Sequence, residues 1–310
     1  METMRCAYVP KAGGPETIEL RQIEKPVPGP GEILIQVKSA TVTRGDVMLR
    51  KIPRIVTGTL GFFMGFKPMS IPGVEFSGIV RAVGSGVEGY GIDDEVCGTT
   101  TGLARGANAE FLCVPASPKH SVLTKKPESV SFDIAAAAAV GGMTAFQLLK
   151  KAGAGPGKKV LVYGASGSVG SAAVQLSKLF GCDTAAVCGP SNVSLIQELD
   201  ISRVFDYIRE SPFSTDTWDI IFDAVGKAPK KEAKTALNKD GAFTSIASPT
   251  KETVQVYREV LSYIAEGKLT VLIDKFFSLE EIQEAHRYVE KGHKRGNVII
   301  HPEAAGAISV

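Results

Sequence analysis

Residues 159–181 read KVLVYGASGSVGSAAVQLSKLFG, an apolar run followed by a glycine-rich segment and a helix-forming run. The apolar run KVLVY predicts a buried strand, and SAAVQLSKL predicts a helix. Between them, Ala165, Gly167 and Gly170 match the glycine fingerprint of a dinucleotide-binding turn, with alanine in place of the first glycine. Gly164, directly before, still permits a tight turn. The stretch therefore combines a strand, a turn that a pyrophosphate can approach and a positive helix end that faces it.

The sequence around this stretch divides into two patterns. From about residue 126, helical segments alternate with apolar strands, which predicts crossover units on a parallel sheet. The part before it has short, alternating or β-branched runs separated by glycine and proline, which predicts an antiparallel, barrel-like domain. The closing strand NVIIHP is predicted to return to that first domain. We therefore predict a catalytic domain of residues 1–125 and 271–310, and a dinucleotide-binding domain of residues 126–270.

Composition narrows the class of protein. The 310 residues are 44% hydrophobic and 22% charged, with a formal net charge of +2, which is typical of a soluble globular protein with no nucleic acid partner. The five cysteines are scattered and form no CxxC pair, so we expect a reducing, cytoplasmic setting. We identify neither a signal peptide nor a transmembrane segment.

The choice of cofactor depends on the end of the next strand. In the fingerprint, an acidic residue about 20 positions after the glycines binds the free ribose hydroxyl of NAD. Residues 187–189 are Val-Cys-Gly, and Asp183 stands at the wrong end of the strand. The missing acid predicts NADPH. The hydroxyl and amide groups that suit its 2'-phosphate belong to Ser191, Asn192 and Tyr207.

Segments in order along nearly the whole chain carry a family resemblance. They are PGPGEILIQVKSATVTRGDVMLR, PGVEFSGIVRAVGSGVEG, DEVCG, NAEFLCVP, AAAVGGMTAFQLL, VLVYGASGSVGSAAVQLSKLFG, FDAVG and EAHRYVEKGHKRGNVII. Together they resemble the medium-chain dehydrogenase/reductase superfamily and, within it, the zinc-free quinone oxidoreductase branch. The resemblance implies an α/β protein with a Rossmann doubly wound parallel sheet and a GroES-like, partly open β-barrel catalytic domain, assembled as a homodimer.

The same resemblance bears on whether the protein binds a metal and on which reaction it catalyses. Alcohol dehydrogenases of this superfamily hold a catalytic zinc with a cysteine and with the histidine of a GHE segment. Residues 44–46 are Arg-Gly-Asp and residues 73–75 are Gly-Val-Glu at these places, so we expect no metal. Without this Lewis acid, the expected reaction is hydride transfer from NADPH to a small-molecule quinone or α,β-unsaturated carbonyl.

The resemblance also implies site residues, at the positions of this sequence that match the family's motifs. The catalytic candidates are Thr43, which replaces an asparagine common in relatives, and Asp46, whose role we interpret as partly structural. The candidates for cofactor contact outside the adenosine end are Thr144, Gly164, Ala165, Ser166, Gly167, Ser168, Val169, Gly170, Val225, Gly226, Ser245, Ile246, Ala247, Lys294 and Asn297.

An apolar, glycine-containing loop, IVTGTLGFFMGFKPM, spans residues 55–69. It falls where the superfamily places a wall of the substrate pocket. The candidates for an apolar slot are Phe62, Phe63, Met64 and Phe66. Two other interpretations stay open, a loop packed on the barrel and a contact with a membrane surface.

Two alternative functions also stay open. An enoyl thioester reductase needs a basic rim for its carrier phosphate, and Arg50, Lys51 and Arg54 flank the loop. A non-catalytic NADPH-binding protein, as in crystallins related to these reductases, would keep the cofactor site without turnover.

Overall fold

The computed structural model describes residues 1–53, 56, 70–100, 106–117 and 121–303. They form two compact units, a first unit of Met1–Ala139 with Ile273–Val310 and a second unit of Val140–Leu272. The predicted dinucleotide-binding domain, residues 126–270, ends two residues before the second unit ends and starts 14 residues before the second unit starts.

The strands share a bias towards β-branched and apolar residues. In the described part of the chain they are β1 Thr3–Tyr8, β2 Glu19–Glu24, β3 Glu32–Thr41, β4 Glu75–Val83, β5 Glu95–Thr99, β6 Phe111–Pro115, β7 Val122–Lys125, β8 Lys159–Tyr163, β9 Asp183–Cys188, β10 Arg203–Asp206, β11 Trp218–Asp223, β12 Leu237–Ser245, β13 Ile273–Ser278 and β14 Asn297–His301.

The helices range from a single turn to five turns. Over the same residues they are α1 Arg44–Arg50, α2 Phe132–Lys151, α3 Ser168–Leu179, α4 Val193–Gln197, α5 Pro212–Thr215, α6 Lys230–Thr235, α7 Val254–Ala265 and α8 Ile282–Glu290, with 3-10 turns at Pro15–Thr17 and Pro190–Asn192.

The first unit is organised around β3. Its main sheet has the order β13-β14-β3-β4-β5-β7, and β6 also pairs with β3. All of these pairings are antiparallel except that of β13 with β14. Ile33, Ile35 and Val37 of β3 are fully buried in the core of this unit together with Phe76 of β4. Burying each such side chain contributes about 1.5–3 kcal/mol, so the packing around β3 stabilises the sheet.

The second unit contains a five-stranded parallel sheet of order β10-β9-β8-β11-β12. Counted from β8, the order is the 3-2-1-4-5 arrangement of a dinucleotide-binding fold. Val160, Leu161 and Val162 at the centre of β8 are all fully buried, as expected for a strand covered on both faces. The predicted α/β fold class is therefore confirmed.

Helix α2 has a run of small residues. The five alanines of residues 135–139 are all at most 3% exposed, and since five consecutive residues go round the whole helix, this part of α2 is enclosed on every side. We expected no transmembrane segment, but α2 is long and apolar enough to cross a membrane by length and composition alone. Its most apolar 18 residues are 67% buried, as in the core helix of a globular protein.

A buried polar group lies between α1 and α8. His286 is 0% exposed, and neither ring nitrogen has a hydrogen-bond partner among the described residues. The guanidinium of Arg50, itself 4% exposed, donates to the carbonyl oxygen of Gly13 at 3.1 Å and to Glu290 at 2.7 Å. Burial, helped by the positive charge of Arg50 and opposed by Glu290, lowers the pKa of His286 from 6.5 to about 3. The imidazole is therefore neutral in the folded protein at neutral pH.

We expect His286 to make the fold acid-sensitive. Because its pKa is lower in the folded than in the unfolded state, its contribution to stability is complete above pH 6.5 and falls below it. The loss should approach about 1.4 kcal/mol per pH unit between these pKa values. Urea unfolding of wild type and His286→Leu at a series of pH values measures it; the variant should lack this component, and His293→Leu should keep it. Equal pH slopes for wild type and His286→Leu would contradict the assignment.

Candidate functional site

The glycine turn of the second unit joins β8 to α3. Gly164 has a φ of +83°, and the N–H groups of Gly164 and Ala165 donate to the carbonyl oxygen of Val187 at 2.9 and 3.0 Å. The left-handed residue is therefore Gly164, whereas Ala165 does not have a positive φ and is fully buried. This explains why alanine is tolerated at the first fingerprint position.

Gly170 sets the distance between the helix and the turn. A Cβ on Gly170 would lie 2.8 Å from the Cα of Ala165 and closer still to the carbonyl oxygen of Gly164. On the other side, a Cβ on Gly141 of α2 would overlap the hydroxyl of Ser168. The first turn of α3 thus packs through Gly170 against the backbone of the glycine turn, and through the Ser168 side chain against Gly141.

The amino end of α3 is open. Gly167 is the N-cap with no side-chain cap, and a Cβ there would meet nothing closer than 3.8 Å. The first intrahelical bond runs from Ser171 N–H to Gly167 at 2.8 Å. The preceding N–H groups have no acceptor within the helix, and together with the helix dipole they suit an anion. These residues fit the pyrophosphate of a dinucleotide.

The predicted adenosine-end residues come together at the carboxyl end of β9. The Asn192 amide donates to the Ser166 hydroxyl at 3.1 Å, which ties the glycine turn to the segment after β9. The Tyr207 hydroxyl lies 3.3 Å from where a Cβ of Gly189 would be, and 53% of Tyr207 is exposed. Ser191 is exposed beside them.

Strands β9 and β10 differ in where they carry an acidic residue. Asp183 is exposed at the start of β9, and Cys188 is 2% exposed at its end, where the fingerprint acid belongs. Sequence reasoning missed Asp206, which pairs with Cys188 in register at the end of β10. Its carboxylate accepts from Ile208 N–H at 3.0 Å and lies 3.5 Å from the Arg209 guanidinium. The pattern RVFD before Tyr207 was the available signal.

A second missed residue, Asp223, holds the loop after β11. Its side chain is 0% exposed and accepts hydrogen bonds from four successive backbone N–H groups, at 2.8–3.3 Å. These donors belong to Val225, Gly226, Lys227 and Ala228. Charge-assisted bonds of this kind fix the loop. Val225 Cγ1 in turn lies 2.5 Å from where a Gly164 Cβ would be, so the loop packs against the glycine turn.

The loop after β12 is hydrogen-bonded to the end of β11. Ile246 N–H donates to the backbone oxygen of Asp223 at 3.1 Å, and Ala247 N–H donates to the Ser245 hydroxyl at 3.2 Å. Thr144 lies on α2 one turn beyond Gly141, the residue that contacts Ser168. The predicted cofactor residues of the second unit are thus linked around the carboxyl ends of its strands.

In the first unit, Thr43 and Asp46 form the start of α1. Asp46 accepts from the Thr43 N–H at 2.7 Å, from the Thr43 hydroxyl at 2.6 Å and from Gly73 N–H at 3.0 Å. The Thr43 hydroxyl accepts in return from Asp46 N–H at 3.2 Å, which completes a capping box. Burial raises the pKa of Asp46 despite these bonds. Both predicted catalytic side chains therefore also serve the fold.

Lys294 and Asn297 lie at the same end of β3. Val42 N–H donates to Val298 at 3.1 Å, and the pairing of Ile299 with Thr41 continues so that Asn297 comes beside Thr43. Lys294 precedes β14 and donates to the carbonyl oxygen of Gly296.

Some predicted residues lie outside the described part of the chain. They are Phe62, Phe63, Met64, Phe66 and Arg54. Among the described residues, no cluster of three or more histidine, cysteine, aspartate or glutamate side chains could hold a metal ion.

Comparisons with known proteins agree with this geometry. The alcohol dehydrogenase GroES-like domain matches residues 29–128, and the zinc-binding dehydrogenase family matches residues 248–300. The chain is 31% identical over 247 residues to a 2-methylene-furan-3-one reductase of Solanum lycopersicum, covering 75% of this chain but only 64% of that relative's length. It is 27% identical to a chloroplast envelope quinone oxidoreductase homolog of Arabidopsis thaliana, covering 95% and 97% of the two chains.

A solved structure shares the fold over nearly the full length. The quinone oxidoreductase from Coxiella burnetii superposes with a TM-score of 0.87 at 23% identity, covering 97% of this chain and 100% of that one.

Two alanine substitutions in the glycine turn should separate packing from binding. Gly170→Ala should lower the free energy of unfolding by about 1–3 kcal/mol because its Cβ meets backbone. Gly167→Ala should leave stability nearly unchanged and weaken dinucleotide binding, since its Cβ points into open space at the helix end. Urea unfolding and calorimetric titration with a nicotinamide dinucleotide measure the two effects. Equal stability of the two variants would contradict this account.

Asp223→Asn should loosen the loop after β11. An amide offers one acceptor oxygen and turns its NH2 towards backbone donors, which should cost about 1–3 kcal/mol of stability and also weaken dinucleotide affinity. The control is Asp183→Asn at the exposed start of β9. The same two measurements apply, and wild-type affinity in Asp223→Asn would rule out the positioning role.

Proposed function

Because the chain belongs to the medium-chain dehydrogenase/reductase superfamily, in its quinone-oxidoreductase-like branch, we propose that it is an NADPH-dependent, zinc-independent reductase of quinones or α,β-unsaturated carbonyls. The observation that carries the proposal is the glycine turn at the open end of α3, next to a β9 strand that ends in Cys188 instead of an acid.

The second unit would hold the dinucleotide through its backbone. The N–H groups at the start of α3 would bind the pyrophosphate. The loops that Asp223 ties together, around Val225 and Ile246, would lie along the rest of the cofactor. When bound, the dinucleotide supplies the hydride for the reaction.

The preference for NADPH is supported by the groups around the end of β9. A free ribose hydroxyl would find the buried thiol of Cys188 where NAD-binding relatives of the fold place a carboxylate. Ser166, Asn192 and the exposed Tyr207 present two hydroxyls and an amide, which suit phosphate oxygens. Arg209, whose side chain is 83% exposed, lies 3.5 Å from the Asp206 carboxylate in the neighbouring loop, so its positive charge there is partly offset.

The class of substrate follows from what the first unit lacks. Residues 44–46 and 73–75 carry neither the cysteine nor the histidine that holds zinc in related alcohol dehydrogenases. The carboxylate of Asp46 is occupied with the Thr43 and Gly73 donors. A substrate whose carbonyl already polarises the double bond needs no Lewis acid. Both curated relatives described above are named for substrates of this kind, a methylene-furanone and a quinone.

The basic residues beside the apolar loop bear on the enoyl thioester alternative. Arg50 and Lys51 both pair with Glu290, so neither offers a free basic rim, and the thioester alternative gains no support.

β12 lies at the edge of the second unit's sheet, and a homodimer would use it. A cytoplasmic location stays a prediction; the five cysteines are free and buried.

A panel of quinones and enones tests the function. Purified protein with NADPH should turn over at least one of them without added metal and with chelator present, and its kcat/KM should be higher with NADPH than with NADH. Tyr207→Phe should reduce that preference by raising the KM for NADPH about 10- to 150-fold, because it removes one hydrogen bond to a charged group.

Three outcomes would contradict the proposal. Preference for NADH would overturn the choice of cofactor, and chelator-sensitive turnover would overturn zinc independence. Thermal stabilisation by NADPH with no turnover on any substrate would favour the non-catalytic binding protein.

A further inference from the structure

A cluster of exposed lysines lies between the end of β11 and the middle of β12. Its members are Lys227, Lys230, Lys231, Lys234 and Lys239. None of them forms an ion pair with a carboxylate of the described residues, whereas nine other described lysines do. Unpaired positive charge is therefore concentrated in this short part of the second unit.

Helix α6 presents three of these lysines on one side. Ala233 and Ala236 are buried in the core of the second unit, so the opposite side of this short helix faces outwards. At 3.6 residues per turn, Lys230, Lys231 and Lys234 fall within about 100° of one another on that outer side. The loop before α6 is fixed by the backbone hydrogen bonds to Asp223 described above, so the basic face has a defined position.

The spacing of these charges does not stabilise the helix. Lys230 and Lys234 are four residues apart, and like charges at this spacing repel each other on a helix surface. Glu232 has no lysine three or four residues away on either side. In α8, by contrast, Arg287 pairs with Glu284 three residues before it. The lysines of α6 therefore keep their charge available to a negatively charged partner.

The composition of the basic face limits the kind of partner. Over residues 227–240, the exposed side chains are the five lysines, Glu232, Thr235 and Asp240, with no arginine and no exposed aromatic or aliphatic group. Protein interfaces are depleted in lysine and depend on aromatic or arginine anchors. Sites for nucleic acid use arginine for bases and aromatic rings for stacking. Lysines alone fit a diffuse negative field, such as the surface of an anionic bilayer.

We propose that α6 and its flanking lysines bind the negatively charged surface of a phospholipid bilayer. Each lysine close to such a surface raises the affinity about 5-fold, so the cluster is large enough for a reversible contact. The contact is electrostatic, weakens as salt screens the charges and requires no part of the chain to enter the hydrocarbon. It goes beyond the proposed reductase function and does not depend on it.

Co-sedimentation of the full-length protein with phospholipid vesicles tests the proposal. Wild type should bind vesicles of equimolar phosphatidylcholine and phosphatidylserine, but not vesicles of phosphatidylcholine alone. The triple variant Lys230→Gln/Lys231→Gln/Lys234→Gln should bind the anionic vesicles about 100-fold more weakly. Added salt should weaken the binding of wild type.

A matched control removes the same number of exposed lysines from elsewhere in the chain. It is the triple variant Lys11→Gln/Lys251→Gln/Lys291→Gln, which has the same net charge as the α6 variant. Because these lysines are scattered over the surface, the control should bind anionic vesicles like wild type. Thermal unfolding establishes that the α6 variant is folded; it should be at least as stable as wild type, since the substitutions remove like-charge neighbours.

The outcomes separate a bilayer from other partners. Equal vesicle binding by wild type and the α6 variant would overturn the proposal, as would binding of wild type to phosphatidylcholine alone. If wild type does not bind anionic vesicles, the proposal fails, and retention on immobilised polyglutamate would then indicate an acidic protein. Unchanged vesicle binding with weaker NADPH binding in the α6 variant would assign the lysines to the cofactor. None of these measurements needs turnover, so failure of the reductase function would leave this inference standing.

Discussion

The contact between Gly170 and the backbone of the glycine turn is the constraint on which the second unit depends. A single added carbon at this position would meet Ala165 at 2.8 Å and the carbonyl oxygen of Gly164 more closely. Similar contacts recur nearby, since a Cβ on Gly142 of α2 would meet Val260 of α7 at 2.7 Å. The absence of side chains therefore lets α3 approach the glycine turn and lets α2 approach α7.

Buried carboxylates have two different roles in this chain. Asp46 and Asp223 are surrounded by backbone N–H groups, and each fixes the loop or helix start that donates to it. Glu75 of β4 is different because it accepts from the Thr41 hydroxyl of β3, so it links two neighbouring strands of the first unit's sheet.

Local pattern was enough to predict the strand, turn and helix at residues 159–181, the parallel sheet and the position of Cys188. It was not enough to show that Gly164 takes the positive φ, or that the Thr43 hydroxyl bonds to Asp46. Asp223 was overlooked although it stands within FDAVG, because a strand-end aspartate does not reveal how many amides will turn towards it. The hydrogen bond from the Thr41 hydroxyl to Glu75 was beyond reach, since it depends on two strands that pair from separate parts of the chain.

The pairing of β14 with β3 has a consequence for folding during synthesis. Ile299 meets Thr41, so the whole second unit is made between the two partners of this contact. The second unit is continuous in sequence and all the partners of its sheet emerge together. In the first unit, by contrast, the edge of β3 that receives Ala40–Ile300 and Thr41–Ile299 stays unpaired until the last strand leaves the ribosome. On the ribosome this unpaired edge favours aggregation of the nascent chain until β14 is made.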